Sequence, residues 1–238
     1  MKYVRDATGR FGQRPHFEPV ELDNECEQII TDFLRDLHGQ VAFPVQTDAL
    51  TKLIERDAAD LDLYADLSTD GREIEGVTHF YADRKPKVEI ARELSEQQRR
   101  EHRLRTTLTH EYGHVKFHAH LWQADPSAID MFEDRPRPPE PRCERNNIIN
   151  AAATDWMEWQ AGYVCGAILM PRSALRRIAL QVLSEQGIEG SAIVGTPAAQ
   201  VVESAVARAF DVSGEAARVR MLKLGFLTDG SRGRSLFG

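Results

Sequence analysis

Cysteine is scarce in this chain: Cys26, Cys143 and Cys165 are the only three, and their spacing is irregular. So few thiols exclude a disulfide framework and a cysteine-based zinc site, and reduced side chains are expected. Long apolar runs are missing as well. Nothing approaches the ~18 consecutive apolar residues that would span a membrane, so no membrane association is expected. The opening residues, Met1-Lys2-Tyr3-Val4-Arg5-Asp6, put no apolar core behind their charges and do not read as a secretory signal, which points to a cytoplasmic location. Positive charge is not in excess either. With 30 Lys and Arg against 37 Asp and Glu, the net charge is −7. Tight nonspecific nucleic-acid binding by the whole chain is therefore not favoured, because that affinity comes mostly from neutralising phosphates. A local basic patch stays open.

What is present is ordinary for a globular protein: 238 residues, 42% hydrophobic and 28% charged. That suffices for one sizeable domain with an appendage, or for two small ones. Residues 1–19 hold Gly9, Gly12, Pro15 and Pro19 without a sustained apolar period and read as a flexible arm. From Val20, the positions Leu22, Cys26, Ile29, Ile30, Phe33, Leu34 and Leu37 recur at helical spacing up to Gly39. A second helix follows Thr47, with Leu50, Leu53 and Ile54 inward.

Between Gly76 and Ala91 the period becomes extended, with Val77, His79 and Tyr81 on one side and Thr78 and Phe80 on the other. The turn Asp83-Arg84-Lys85-Pro86 and the return Val88-Glu89-Ile90 complete a β-hairpin. A long helix is expected from Ser95, where Ser95-Glu96-Gln97-Gln98 resembles a capping box.

Residues 123–147 carry Pro126, Pro136, Pro138, Pro139 and Pro141, which no helix or central strand accommodates, and read as a surface insertion and candidate lid. Helical character returns at Asp155 and runs to Pro171. Leu175 to Leu183 suggest another helix ended by Gly187. Thr196-Pro197 is a strong helix start, followed by the stripe Val201, Val202, Ala205, Val206, Ala209 and Phe210. A last helix runs from Gly214 to Gly225, and residues 229–238 form a flexible tail.

Chemistry concentrates in Thr107-Leu108-Thr109-His110-Glu111-Tyr112-Gly113-His114. On a helix, His110 and His114 lie one turn apart and project to one side, so two imidazoles can bind one metal ion. Glu111, between this side and the face of Leu104, Leu108, Tyr112 and Val115, suits a general base that deprotonates a metal-activated water. A catalytic zinc needs a third protein ligand. His120 has the metzincin spacing from His114, but Phe117 stands where that pattern turns at a glycine, and His118 lies one turn beyond His114. Glu158 on the next long helix is the other candidate, and residue type alone also admits Glu140, Glu144 and Asp155.

The pair of segments His110-Glu111-Tyr112-Gly113-His114 and Glu158-Trp159-Gln160-Ala161-Gly162, followed by Ile168-Leu169-Met170-Pro171, resembles the ImmA/IrrE family of metallo-endopeptidases. The second motif of that family runs roughly Glu-x-x-Ala-Asn, then Leu-Leu-Met-Pro. This chain has Gly162 for the Asn, Ile168 for the first Leu and a longer stretch between the motifs. The likeness covers about residues 76 to 225. It implies Zn²⁺ held by His110, His114 and Glu158, Glu111 as catalytic base, and a protein substrate, typically a helix-turn-helix transcriptional repressor.

The fold expected is α+β: a mostly helical zincin-like metallopeptidase domain over residues 20–190, with a small β-hairpin before the motif helix. A helix-turn-helix-like helical subdomain follows over residues 191–228. His118, Tyr112 and His79 are further candidates for supporting the site or stabilising an oxyanion. The exposed hairpin edge from Val77 to Tyr81 is a candidate for binding an extended substrate by strand addition. The competing expectation is a DNA-binding or protein-binding transcriptional regulator with a non-catalytic zincin domain, using Arg218, Arg220 and Lys223 on the last helix.

Overall fold

A computed structural model of the chain describes residues 1–69, 74–123, 142–144 and 155–230. The Pro-rich insertion, with Glu140, lies outside the described residues except for Gln123 and 142–144, and so does the tail beyond Gly230. The architecture is α+β. Helix α1 (Pro19–His38) buries Leu22, Cys26, Ile30, Phe33 and Leu34 and stops at Gly39, whose φ of 72° suits a residue without Cβ. Leu37, expected on the same face, is exposed. Helix α2 (Thr47–Asp57) turns Leu50, Leu53 and Ile54 inward, as its spacing predicts.

Strand β3 (Asp60–Ala65) is not anticipated above, although Leu61, Leu63 and Ala65 alternate with polar residues. The hairpin comprises β4 (Ile74–His79) and β5 (Lys87–Ala91), with Gly76 opposite Ile90 and Thr78 opposite Val88. With β6 (Arg142–Glu144) they form a sheet ordered β3-β5-β4-β6, in which only β3 and β5 run parallel. Strand β6 pairs along Ile74 to Val77, so that part of the hairpin edge is occupied by the chain itself rather than open to an added strand. Among the described residues the pairing ends at Val77 opposite Arg142.

Ser95 does not begin the motif helix. It ends a single turn, α3 (Arg92–Ser95); Gln97 then adopts an extended conformation, a 3₁₀ turn follows at Gln98–Arg100, and α4 runs over Glu101–Phe117. The Ser95 hydroxyl is buried without a hydrogen-bond partner, so no capping box forms there. Arg100 and Arg103 both reach buried Glu75 on β4, which ties the start of α4 to the sheet.

The remaining helices are α5 (His120–Gln123), α6 (Trp156–Leu169), α7 (Arg172–Glu185), α8 (Pro197–Phe210) and α9 (Gly214–Leu224). Thr196 caps α8 through the amide of Ala199, with Pro197 in the first turn, and Ser213 caps α9 through Ala216. Val201 is exposed rather than part of the α8 stripe. One hydrophobic cluster joins Leu22, Leu108, Val164, Phe210 and Met221, so the core runs without a break from α1 into the last two helices. Buried cations lock this arrangement. Arg105 of α4 donates to the carbonyls of Val45 and Phe210, and Arg220 of α9 donates to Asp23 at 2.6 Å and to the carbonyl of Met170.

Residues 1–19, expected to be a flexible arm, hold a two-stranded sheet of β1 (Lys2–Arg5) and β2 (Gln13–His16). Its order comes from distant partners that no local period reveals. Asp6 accepts from the amides of Thr8 and Phe11 in the hairpin loop and from Trp156 Nε1 at 3.1 Å. Arg10 pairs with Asp155, and the Arg14 guanidinium lies 5.4 Å from the centre of the Trp156 ring. Burial alone would raise the Asp6 pKa, but these donors together hold it below its ordinary 3.8. A depressed carboxylate contributes stability that is present above its unfolded value and is lost as pH falls through its folded one. Acidification below about pH 4 is thus expected to release the hairpin, seen as a change in Trp156 fluorescence. Asp6→Ala should do the same at neutral pH and cost about 1–3 kcal/mol, since it orphans a buried indole N–H. Unchanged emission in both cases would remove Asp6 as the tether.

Candidate metal centre

Helix α4 is buried on both expected faces, from Arg105 through Val115. One turn apart on it, His110 and His114 bring their Nε2 atoms within 3.2 Å. Glu158, in the first turn of α6, meets them with Oε2 3.1 Å from His110 Nε2 and Oε1 3.3 Å from His114 Nε2. These spacings suit a single small ion, because bonds of ~2.0–2.1 Å to a tetrahedral metal put neighbouring ligand atoms about 3.3 Å apart. Among the described residues this is the one convergence of three metal-ligating groups. His120 is not part of it; its ring faces the Tyr3 hydroxyl at 3.4 Å.

The sequence arranges this locally in two steps. Helical spacing aligns the imidazoles, and Asp155 caps α6 by accepting from the amides of Met157 and Glu158, which fixes the turn that carries the carboxylate. Asp155, a candidate ligand by type, is thus a cap. The two helices meet where Gly113 faces Ala161, so α4 and α6 approach closely just beyond the ligands.

The electrostatics favour a cation here. Burial would raise the pKa of Glu158, but the charge on His114, the hydrogen bond from His110 and the contact of His114 Nε2 with Oε1 hold its carboxyl well below the usual range. In His114, burial pulls the imidazole down while Glu158, and then Glu111 and Asp155, pull it up, with a net rise. Glu158 Oε1 and Glu111 Oε1 are nevertheless buried without a hydrogen-bond partner. Buried acceptors are seldom left so, because each costs about 1–3 kcal/mol. A divalent cation among the three ligands would satisfy Glu158 Oε1, so the residues present fit such an ion.

Glu111 is completely buried beside this group. The Thr78 hydroxyl donates to its Oε2 at 2.6 Å, and the floor beneath it is Gly76, where a Cβ would stand 2.7 Å from Oε1. Strand β4 therefore shapes the seat of the glutamate. The other candidates are engaged elsewhere. Tyr112 donates to Asp57 at 2.8 Å, with Arg56 also against its hydroxyl, and burial beside that carboxylate pushes the phenol up. His79, on the opposite face of β4 from Thr78, meets Glu89 at 3.1 Å. His118 lies between His114 and Gln160, fully buried, and burial together with the charge on His114 lowers its pKa well below the ordinary imidazole value. Phe80, stacked on Trp122, covers the edge of His114.

Thr78, Gly76 and Gln160 escaped the sequence reading. Thr and Gln are too common to signal a site, although Thr78 and Gly76 share a strand face and Gln160 follows Glu158 by two. On the last helix, Arg220 is buried against Asp23, Arg218 pairs with Glu203 at 3.3 Å, and Lys223 Nζ lies 5.2 Å from the centre of the Tyr163 ring. The expected basic side of α9 is thus engaged within the fold. No protein-family model matches the chain, and no curated protein sequence matches it.

Proposed function

We propose that the protein is a zinc-dependent endopeptidase that cleaves a specific regulatory protein, such as a helix-turn-helix transcriptional repressor. The observation that carries the reaction type is the convergence of His110, His114 and Glu158 beside a buried Glu111. The substrate class is supported by the resemblance to the ImmA/IrrE family. Zinc held by two imidazoles and a carboxylate supplies Lewis acidity, which lets water be deprotonated near neutral pH and polarises a peptide carbonyl.

The chain supplies the proton transfers. Thr78 fixes one oxygen of Glu111, which leaves Oε1, free of donors, as the atom that takes a proton from the attacking water. The same oxygen then returns it to the leaving amine. Phe80 and Trp122 keep bulk water off the His114 side. The engaged cations of α9 lend no support to a DNA-binding role.

Purified protein is expected to carry about one zinc per chain. Glu158→Ala should weaken zinc binding by at least the ~100-fold at the upper end of what removing an outer partner costs. Equal zinc content in the variant would remove Glu158 from the ligand set. Incubation with the repressor-like proteins encoded nearby should give one discrete cut, located by mass spectrometry; digestion of any unfolded protein with no preference would sink the regulatory reading.

A further inference from the structure

A chain of hydrogen bonds leaves the metal centre through His114. His114 Nδ1 lies 2.9 Å from His118 Nδ1, His118 Nε2 lies 3.0 Å from Gln160 Oε1, and Gln160 Nε2 lies 3.0 Å from the carbonyl oxygen of Pro15. His114, His118 and Gln160 are all buried, at no more than 1% exposure. The chain ends on the N-terminal hairpin. The same hairpin grips Trp156 through Asp6, and Trp156 sets its ring edge-on to His118 at 5.4 Å.

The last member fixes the direction of every bond. A carbonyl oxygen only accepts, so the Gln160 amide must turn its NH₂ to Pro15 and its oxygen to His118. That oxygen also only accepts, so His118 carries its proton on Nε2. As a neutral, fully buried ring it then has a bare Nδ1, and the only complement at 2.9 Å is an Nδ1–H on His114. When His114 is neutral, Nε2 is then the nitrogen without a proton, and it is the atom that faces His110 and Glu158. A histidine binds a metal only through a nitrogen without a proton, and the partner of its other nitrogen decides which one that is.

We propose that His118 and Gln160 are positioning residues: with the Pro15 carbonyl they hold His114 in the tautomer that presents Nε2 to the metal. The residues read as a flexible arm are in this sense part of the metal centre. The inference rests on the ligand set proposed above.

Substitutions in the full chain separate this from plain packing. Zinc and cobalt affinities, measured by chelator competition, should fall ~10–100-fold in His118→Phe, which keeps a ring but offers no acceptor, and in Gln160→Met, which keeps the length but not the polarity. His118→Asn, with an oxygen where the ring had Nδ1, should recover most of the loss although it fills the space less well. In the cobalt-loaded protein the shifted His114 Nδ1–H resonance should resist exchange with D₂O, and Gln160→Met should abolish that protection. Wild-type affinity in both His118→Phe and Gln160→Met, or a better Phe than Asn variant, would overturn the proposal. If the wild type bound neither metal, the metal reading would fail separately. The ring ¹⁵N shifts of His118 in the metal-free protein would still decide: a proton on Nε2 supports the relay, and one on Nδ1 overturns it.

Discussion

Glu111→Gln is expected to lose at least ~10²–10⁴-fold in peptide cleavage while keeping its fold and its metal. The prediction is sharp because the surroundings of the side chain accept the exchange. Thr78 Oγ1 can donate to the amide oxygen as it does to Oε2. The amide nitrogen would then occupy the place of Oε1, which faces no other donor and so meets no repulsion. What disappears is the lone pair that takes a proton. Thermal stability should therefore stay within about 1 kcal/mol of the parent, and zinc content should be unchanged. A variant that cleaved at the parent rate would disprove the mechanism, whereas one that lost zinc as well as activity would show that Glu111 helps to hold the site.

Gly113→Ala should damage the same site from a distance. A Cβ at residue 113 would stand 2.9 Å from Ala161 Cα and 3.3 Å from Val164 Cβ. These atoms belong to the backbone and the branched side chains of α6, which cannot swing aside, so the two helices must separate. Interiors packed to crystal density transmit such shifts rather than absorb them. Ala161 lies less than one turn from Glu158, so the displacement moves the carboxylate off His110 and His114. A loss of about 1–3 kcal/mol in stability is expected, together with weaker metal binding. Gly166→Ala is the matched control, since its one close contact is a side-chain atom, Arg220 Cδ at 3.3 Å, rather than backbone at 2.9 Å, and it should cost less. Equal stability and metal affinity in the two variants would mean that the close approach does not position Glu158.

Features set by neighbours in sequence were readable without a structure. Gly39, Thr196, Pro197 and Gly225 mark helix ends because their side chains, or the lack of one, act within a few residues of themselves. His110 and His114 were readable for the same reason. Glu158 was not; residue type left it among several acids, and the resemblance singled it out. The false start at Ser95 shows the limit of a local signal, since the ion pairs from Arg100 and Arg103 to Glu75 fix where α4 begins. Strand β3 alternates visibly, but its parallel partner β5 lies beyond the intervening β4. The hairpin at residues 1–16 was illegible because the partners that dock it, from Asp155 to Gln160, lie far along the chain.

That separation bears on the order in which the protein comes into being. The bond from Asp6 to Trp156 spans 150 residues and the one from Pro15 to Gln160 spans 145. During synthesis the hairpin leaves the ribosome before α4 and α6, yet its binding surface is made only after α4 and the insertion have emerged. Closing so long a loop has a high entropic cost that only an assembled α4–α6 pair offsets. A segment translated before α4 and α6 thus docks after them, and until it does the proposed orienting chain from His114 to Pro15 is incomplete. Nascent protein would pass through a stage in which both imidazoles and Glu158 exist but bind metal weakly, so maturation of the centre ends with the docking of the β1–β2 hairpin.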